Sequence, residues 1–162
     1  MNDMAHAVLR LLEENKIDHT LAEHPAVFNM EELYAQGLEH CDAIAKNLLV
    51  RDQKKRFYWL LVLYGEKRAD LKALKARLGH GALSFAGAEE LAELLGLTPG
   101  SVTPFGALND KEHRVTLLLD EDYRGKLIGV HPNDNTATVW LPADALVELL
   151  QAQGTTVEFI PF

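Results

Sequence analysis

One cysteine, Cys41, in 162 residues leaves no partner for an internal disulfide and no cysteine cage for a metal. No run of about 20 apolar residues occurs, so no segment reads as a membrane span. The opening Met1-Asn2-Asp3-Met4-Ala5-His6 has neither the basic cluster nor the apolar run of a signal peptide. A cytoplasmic location, away from membranes, is the expectation. A P-loop, a dinucleotide-binding glycine fingerprint and a G-x-S-x-G nucleophile elbow are all missing, which sets aside the common nucleotide-binding loops and the serine-elbow hydrolases. His19 and His24 stand five apart with no third ligand placed to complete a zinc site. Cys41 has no histidine partner beyond adjacent His40, so a thiol nucleophile is not expected. Neither a metal nor a cofactor is implied.

What is present fits one compact α+β domain over residues 1–162. The apolar fraction is 48% and the charged fraction 25%, ordinary for a chain that buries its own core. The net charge of −8 argues against a general nucleic-acid coat, but the distribution is uneven. From Lys46 to Arg77 there are 10 Lys/Arg against three acids, leaving 6 basic and 21 acidic residues elsewhere. A basic segment on an acidic body can steer a phosphate backbone to one face. A solvated charged helix and turn explains the same run without RNA.

Hydrophobic spacing at Ala7, Val8, Leu11 and Leu12 predicts a helix over 4–15. A short strand follows over 19–23, then a helix with Asn29 as its cap and acids in its first turn. Residues 43–50 read as a strand. Phe57-Tyr-Trp-Leu-Leu-Val-Leu-Tyr64 is apolar on both faces and so predicts a strand central to a sheet. The polar 51–56 turn joins the two. Helices are expected over 70–78 and 88–95, strands over 114–120, 127–130 and 136–141, a helix over 143–151 behind Pro142, and a last strand over 156–160. Hairpins mixed with helices imply one central mixed, mainly antiparallel sheet with helices packed around it.

Lys46 interrupts the apolar run Ala43-Ile-Ala-Lys-Asn-Leu-Leu-Val50 and shares a strand face with Ile44, Leu48 and Val50. An ammonium on a core-facing surface is costly unless it is paired or opens into a pocket, where it holds a carbonyl or phosphate oxygen. A snorkelling edge lysine is the plainer alternative. Asn47 beside it offers both a donor and an acceptor. Gly129-Val-His-Pro132 ends a strand in a turn. Its glycine permits close backbone approach, and His131 can position a group or move a proton near neutral pH. An ordinary turn histidine fits equally well. Gly100-Ser-Val-Thr-Pro104 sits in a stiff loop of the kind that carries binding groups.

Four segments in order resemble the aminoacyl-tRNA editing domains of the YbaK and prolyl-tRNA synthetase insertion type. They are His24-Pro25 with Phe28 and Glu32, Ala45-Lys-Asn-Leu-Leu-Val-Arg-Asp52, the Gly100–Pro104 loop, and Gly129-Val-His-Pro-Asn-Asp-Asn-Thr-Ala-Thr138. Within that family the resemblance is strongest to free-standing deacylases of alanine-charged tRNA(Pro). It implies hydrolysis of the ester between an amino acid and the terminal ribose, without a protein nucleophile. It implies that Lys46, Asn47, Gly129 and His131 serve the chemistry, and that His24, Phe28, Asn29, Gly100 and Pro104 bind substrate. Relatives often carry Ser or Thr where Asn29 stands, which bears on amino-acid preference. The partner implied is tRNA(Pro) mischarged with alanine, with prolyl-tRNA synthetase or elongation factor as transient companions. Lys54, Lys55, Arg56, Lys72 and Lys75 would meet its phosphates. A deacylase for cysteine or serine on tRNA, a non-catalytic tRNA-binding module and a small-molecule hydrolase remain alternatives.

Overall fold

The computed structural model describes all of residues 1–162. Helix α1 (Asp3–Glu14) is capped by the Asn2 side chain, which accepts from the Ala5 amide at 2.9 Å, and buries Ala5, Val8 and Leu12. Strand β1 (Thr20–Glu23) leads to the short α2 (Met30–Tyr34), whose cap is Asn29: its Oδ1 accepts from the Glu32 amide at 2.8 Å. Strands β2 (Lys46–Asp52) and β3 (Tyr58–Leu63) form the expected hairpin, Lys46 opposite Leu63 and Arg51 opposite Tyr58. Asp52 fixes its turn by accepting from the amides of Arg56 and Phe57 at 2.8 and 2.9 Å. The Phe57 amide, as the main cause, holds the Asp52 carboxyl below its ordinary pKa.

After α3 (Leu71–Leu78) comes β4 (Leu83–Phe85), then α4 (Ala88–Leu95), capped at its end by left-handed Gly96. The 97–106 loop, rich in turn formers and so not expected to be a regular element, enters two short 3-10 turns, Pro99–Ser101 and Pro104–Asn109. The remainder is β5 (Val115–Asp120), β6 (Leu127–Val130), β7 (Ala137–Pro142), α5 (Ala143–Ala152) and β8 (Val157–Ile160). Pro142 closes β7 and stands at the cap position of α5, immediately before the helix rather than within its first turn.

These strands make two sheets where one was expected. The larger has the order β4-β2-β3-β5-β8, and the smaller the order β1-β7-β6. The small sheet is antiparallel throughout, whereas β3, β5 and β8 run parallel. The apolar strand β3 does lie at the centre, and its residues alternate between two cores. Tyr58, Leu60 and Val62 enter the main core with α1, α4 and α5. Trp59 and Leu61 enter a second core under Leu74 of α3, with Leu71 and Leu78 packed against it. The two sheets touch through a single parallel bridge, Ile44 to Gly129, where the Ala45 amide donates to the Gly129 carbonyl at 3.0 Å. The start of β2 and the end of β6 therefore lie side by side.

Candidate active site

A cavity of about 380 Å³ opens beside that bridge. Ile44, Ala45, Lys46, Asn47 and Leu48 supply one wall and Val130 and His131 another. Val27, Phe28, Asn29, Met30 and Leu33 come from the α2 segment, Pro99, Gly100 and Val102 from the loop after α4, and Thr138 from β7. All four sequence segments singled out above thus converge on one place. Nine of the 16 lining residues are hydrophobic, so the few polar atoms among them stand out.

Lys46 is half-buried, and its ammonium enters none of the four ion pairs of the molecule. Of the residues read as sharing its strand face, Leu48 and Val50 pack in the second core, while Ile44 packs in a third with Val27, Leu33 and Trp140. Asn47 faces the other way. Its Nδ2 donates to the Ala45 carbonyl at 3.4 Å, while its Oδ1 is buried with no hydrogen-bond partner. A buried acceptor without a donor costs free energy that a ligand donor can recover.

His131 donates from Nδ1 to the Ala137 carbonyl at 2.7 Å, which leaves Nε2 as the acceptor of a neutral ring. Burial, the leading cause, pushes its pKa below the ordinary imidazole range, and His24 nearby pushes the same way. The two rings lie 6.0 Å apart. His24 does not line the cavity but acts on it. Its Nδ1 donates to the Pro25 carbonyl at 2.9 Å, so its Nε2 accepts from the Thr138 hydroxyl, also at 2.9 Å. The Thr138 oxygen then has only lone pairs left to offer. The Thr103 hydroxyl donates to the His131 carbonyl, tying the 97–109 segment to the end of β6.

Besides His24, two more residues expected at the site stand off the cavity wall. Gly129 is not on the cavity wall. A Cβ there would stand 2.7 Å from Trp140 Nε1 and 3.0 Å from Ile44 Cγ1, so the glycine is needed for packing between the sheets. Pro104 is buried at the start of its 3-10 turn and does not line the cavity. Gly100 does face the site, and the ring of Phe28 lies directly on it: an added Cβ would be 2.6 Å from Phe28 Cδ1. Phe28 is 67% exposed at the mouth. Lys54, Lys55 and Arg56 sit exposed on the β2–β3 turn, and Lys72 and Lys75 are exposed on α3, all outside the cavity. Thr138 escaped the sequence reading. Its signal is a hydroxyl inside the otherwise apolar run Ala137-Thr-Val-Trp-Leu141.

The depressed His131 pKa has a consequence for stability. The unfolded chain takes up a proton near the ordinary value of about 6.5, and the folded chain only at lower pH. The stabilisation is therefore complete above about pH 6.5 and is lost as pH falls through the folded value. Thermal melts from pH 8 to pH 5 are expected to fall more steeply for the wild type than for His131→Asn, whose amide can keep the bond to Ala137. Parallel melting curves would show that His131 titrates normally.

The aminoacyl-tRNA editing domain family model matches residues 24–149. The prolyl-tRNA editing protein ProX of Acetoanaerobium sticklandii is 41% identical over 98% of this chain and 97% of its own. The prolyl-tRNA synthetase associated domain-containing protein 1 of Danio rerio is 34% identical over 96% of this chain and 86% of its own. Among solved structures, a candidate trans-editing enzyme for prolyl tRNA synthetase superposes with a TM-score of 0.71 at 25% identity, covering 100% of this chain and 99% of that one. With that match spanning the cavity and all the segments that build it, the chain belongs to the aminoacyl-tRNA editing domain family.

Proposed function

We propose that this editing domain is a free-standing deacylase that removes alanine from mischarged tRNA(Pro), excluding proline by size. The observation that carries the reading is an ammonium free of ion pairs, Lys46, on the wall of a mostly apolar cavity. An ammonium so placed matches an aminoacyl ester. The carbonyl oxygen turns toward Lys46, and Asn47 helps to position the substrate.

Water forms a bond to the ester carbon, and negative charge gathers on the former carbonyl oxygen. An ammonium in a mostly apolar site stabilises that charge more than it stabilises the neutral ester, which is what lowers a barrier. The carbon–ribose oxygen bond then breaks, and the ribose oxygen takes the proton that the attacking water gives up. In this mechanism the attacking group is water, and the one hydroxyl at the cavity held by a base, Thr138 on His24 Nε2, serves to position it. The ribose's neighbouring hydroxyl helps to orient it. Neutral His131, with Nε2 as acceptor, and Thr138 fix the polar side of the cavity and hold substrate and water in register. Val27, Met30 and Leu33 form an apolar wall suited to a methyl group. Bulk excluded by such a wall discriminates better than attraction among small apolar groups, which is the logic of a second sieve. Phosphates of the tRNA meet the basic face of Lys54, Lys55, Arg56, Lys72 and Lys75.

The test is a deacylation panel. Alanyl-tRNA(Pro) is expected to be hydrolysed at least about tenfold to 200-fold faster than prolyl-tRNA(Pro), the range a methylene-scale difference in a pocket supplies. Seryl- or cysteinyl-tRNA hydrolysed faster than alanyl-tRNA would move the assignment to those amino acids.

A further inference from the structure

Outside the cavity, Phe57, Trp59 and His80 make an aromatic cluster at the far end of β2 and β3, and a fourth ring stands on the same face. Phe57 and Trp59 stack with centroids 6.2 Å apart and planes 25° from parallel. The His80 ring, which follows α3, meets both edge-on at 4.9 Å. Phe85 of β4 lies on the same sheet face, since Val50 is the cross-strand partner of both Phe85 and Trp59. Two of these rings are unusually open: Phe57 is 47% and Phe85 53% exposed. Large exposed rings grouped on one side of a folded chain mark a contact surface. The Lys54-Lys55-Arg56 turn runs into Phe57, and Arg77 lies exposed in the last turn of α3, just before His80.

We propose that this cluster is a second RNA contact of the editing domain, a platform on which one unpaired base stacks while Lys54, Lys55, Arg56 and Arg77 hold the adjoining phosphates. The proposal rests on the tRNA-deacylase reading for the identity of the RNA. Charge selects RNA over an apolar protein segment: 10 of the 16 basic residues fall between Lys46 and Arg77, on a chain of net charge −8. Open aromatic faces beside cations are what single-stranded nucleic acid binds, because every base has a face to stack. Position supports the same occupant. Lys46 and Phe57 are separated by the length of β2, six residues or about 20 Å at the rise of a strand. Stacked nucleotides advance about 3.4 Å each, so about six would span that gap, and fewer in an extended strand. A base of the unpaired 3′ end thus reaches the platform, in an extended strand, while the aminoacyl end occupies the cavity.

The experiment measures the affinity of the full chain for uncharged tRNA(Pro), which needs no turnover. The Phe57→Ser/Phe85→Ser double variant is expected to bind at least about fivefold more weakly, the low end for one lost stacked base, with its salt slope kept. Phe57→Trp is expected to restore binding in the Phe85→Ser background. Lys54→Ala/Lys55→Ala/Arg56→Ala is expected to flatten the salt slope. A blunt RNA duplex is expected to bind wild type and double variant alike. Unchanged affinity for tRNA(Pro) in the double variant, or an equal loss on the blunt duplex, overturns the platform. Should the double variant fail to fold, Phe85→Ser alone, on the three-residue edge strand, reads the same quantity. Wild-type chain that binds tRNA tightly yet hydrolyses no aminoacyl ester refutes the deacylase reading and leaves the platform standing.

Discussion

Lys46→Ala is expected to lower the rate of alanyl-tRNA(Pro) hydrolysis by about 10²–10³-fold, the loss that follows removal of one preorganised donor to a developing oxyanion. Stability is expected to stay within about 0.5 kcal/mol or to rise slightly. The reason lies in the site. Lys46 is half-buried at the edge of an apolar cavity and makes no ion pair, so its removal orphans no carboxylate and ends the desolvation of an amine. Lys46→Arg is expected to recover little, because a planar fork does not occupy the place of a compact ammonium. Single-turnover hydrolysis with precharged tRNA, alongside thermal melts, separates the two quantities. A loss of less than about tenfold takes Lys46 out of the chemistry. A large loss matched by a fall in melting temperature makes the residue structural.

The parts of this fold that sequence shows are those where period and chemistry agree. Phe57–Tyr64 is apolar on both faces, and β3 is the central strand of the larger sheet, feeding Leu60 to one core and Leu61 to the other. Asn29 caps α2 with the geometry its position before Glu31 and Glu32 suggests. What failed depends on contacts that no local pattern encodes. Strand β4 is three residues long and follows a Gly-His-Gly turn, so its only cause is the free edge of β2. The split into two sheets turns on a single bridge between Ile44 and Gly129, 85 positions apart. The convergence of Lys46, Gly100 and His131 entered through resemblance, and the geometry that unites them is tertiary. Thr138 and the Asn47 acceptor become conspicuous only once their neighbours are known to be apolar or already bonded. The Phe57–His80 contact joins residues 23 apart through the return of α3, and is silent in the sequence for the same reason.

Two glycines of the motif separate packing from function under the same added methyl group. Gly129→Ala is expected to cost about 1–3 kcal/mol, the usual cost of overpacking, and about 2–12 °C in melting temperature for a domain of this size. Its Cβ would stand 2.7 Å and 2.9 Å from Trp140 Nε1 and Cδ1. The indole cannot yield easily: it is 5% exposed and donates to the His40 carbonyl at 3.2 Å. Ile44 closes the other side at 3.0 Å. Moving either one strains the bridge that sets the start of β2, so catalysis falls together with stability. Gly100→Ala meets a nearer atom, Phe28 Cδ1 at 2.6 Å, yet that ring is 67% exposed and can swing into solvent. Its melting temperature is expected to hold, while KM for alanyl-tRNA rises because the mouth of the cavity is reshaped. Thermal melts and steady-state deacylation on the two variants give four numbers. A Gly129→Ala chain that melts like the wild type but no longer hydrolyses substrate would mean that this glycine serves close approach of the ester rather than the seat of Trp140. A Gly100→Ala chain that loses stability would place Phe28 in the packing of the domain, and not at a doorway to its site.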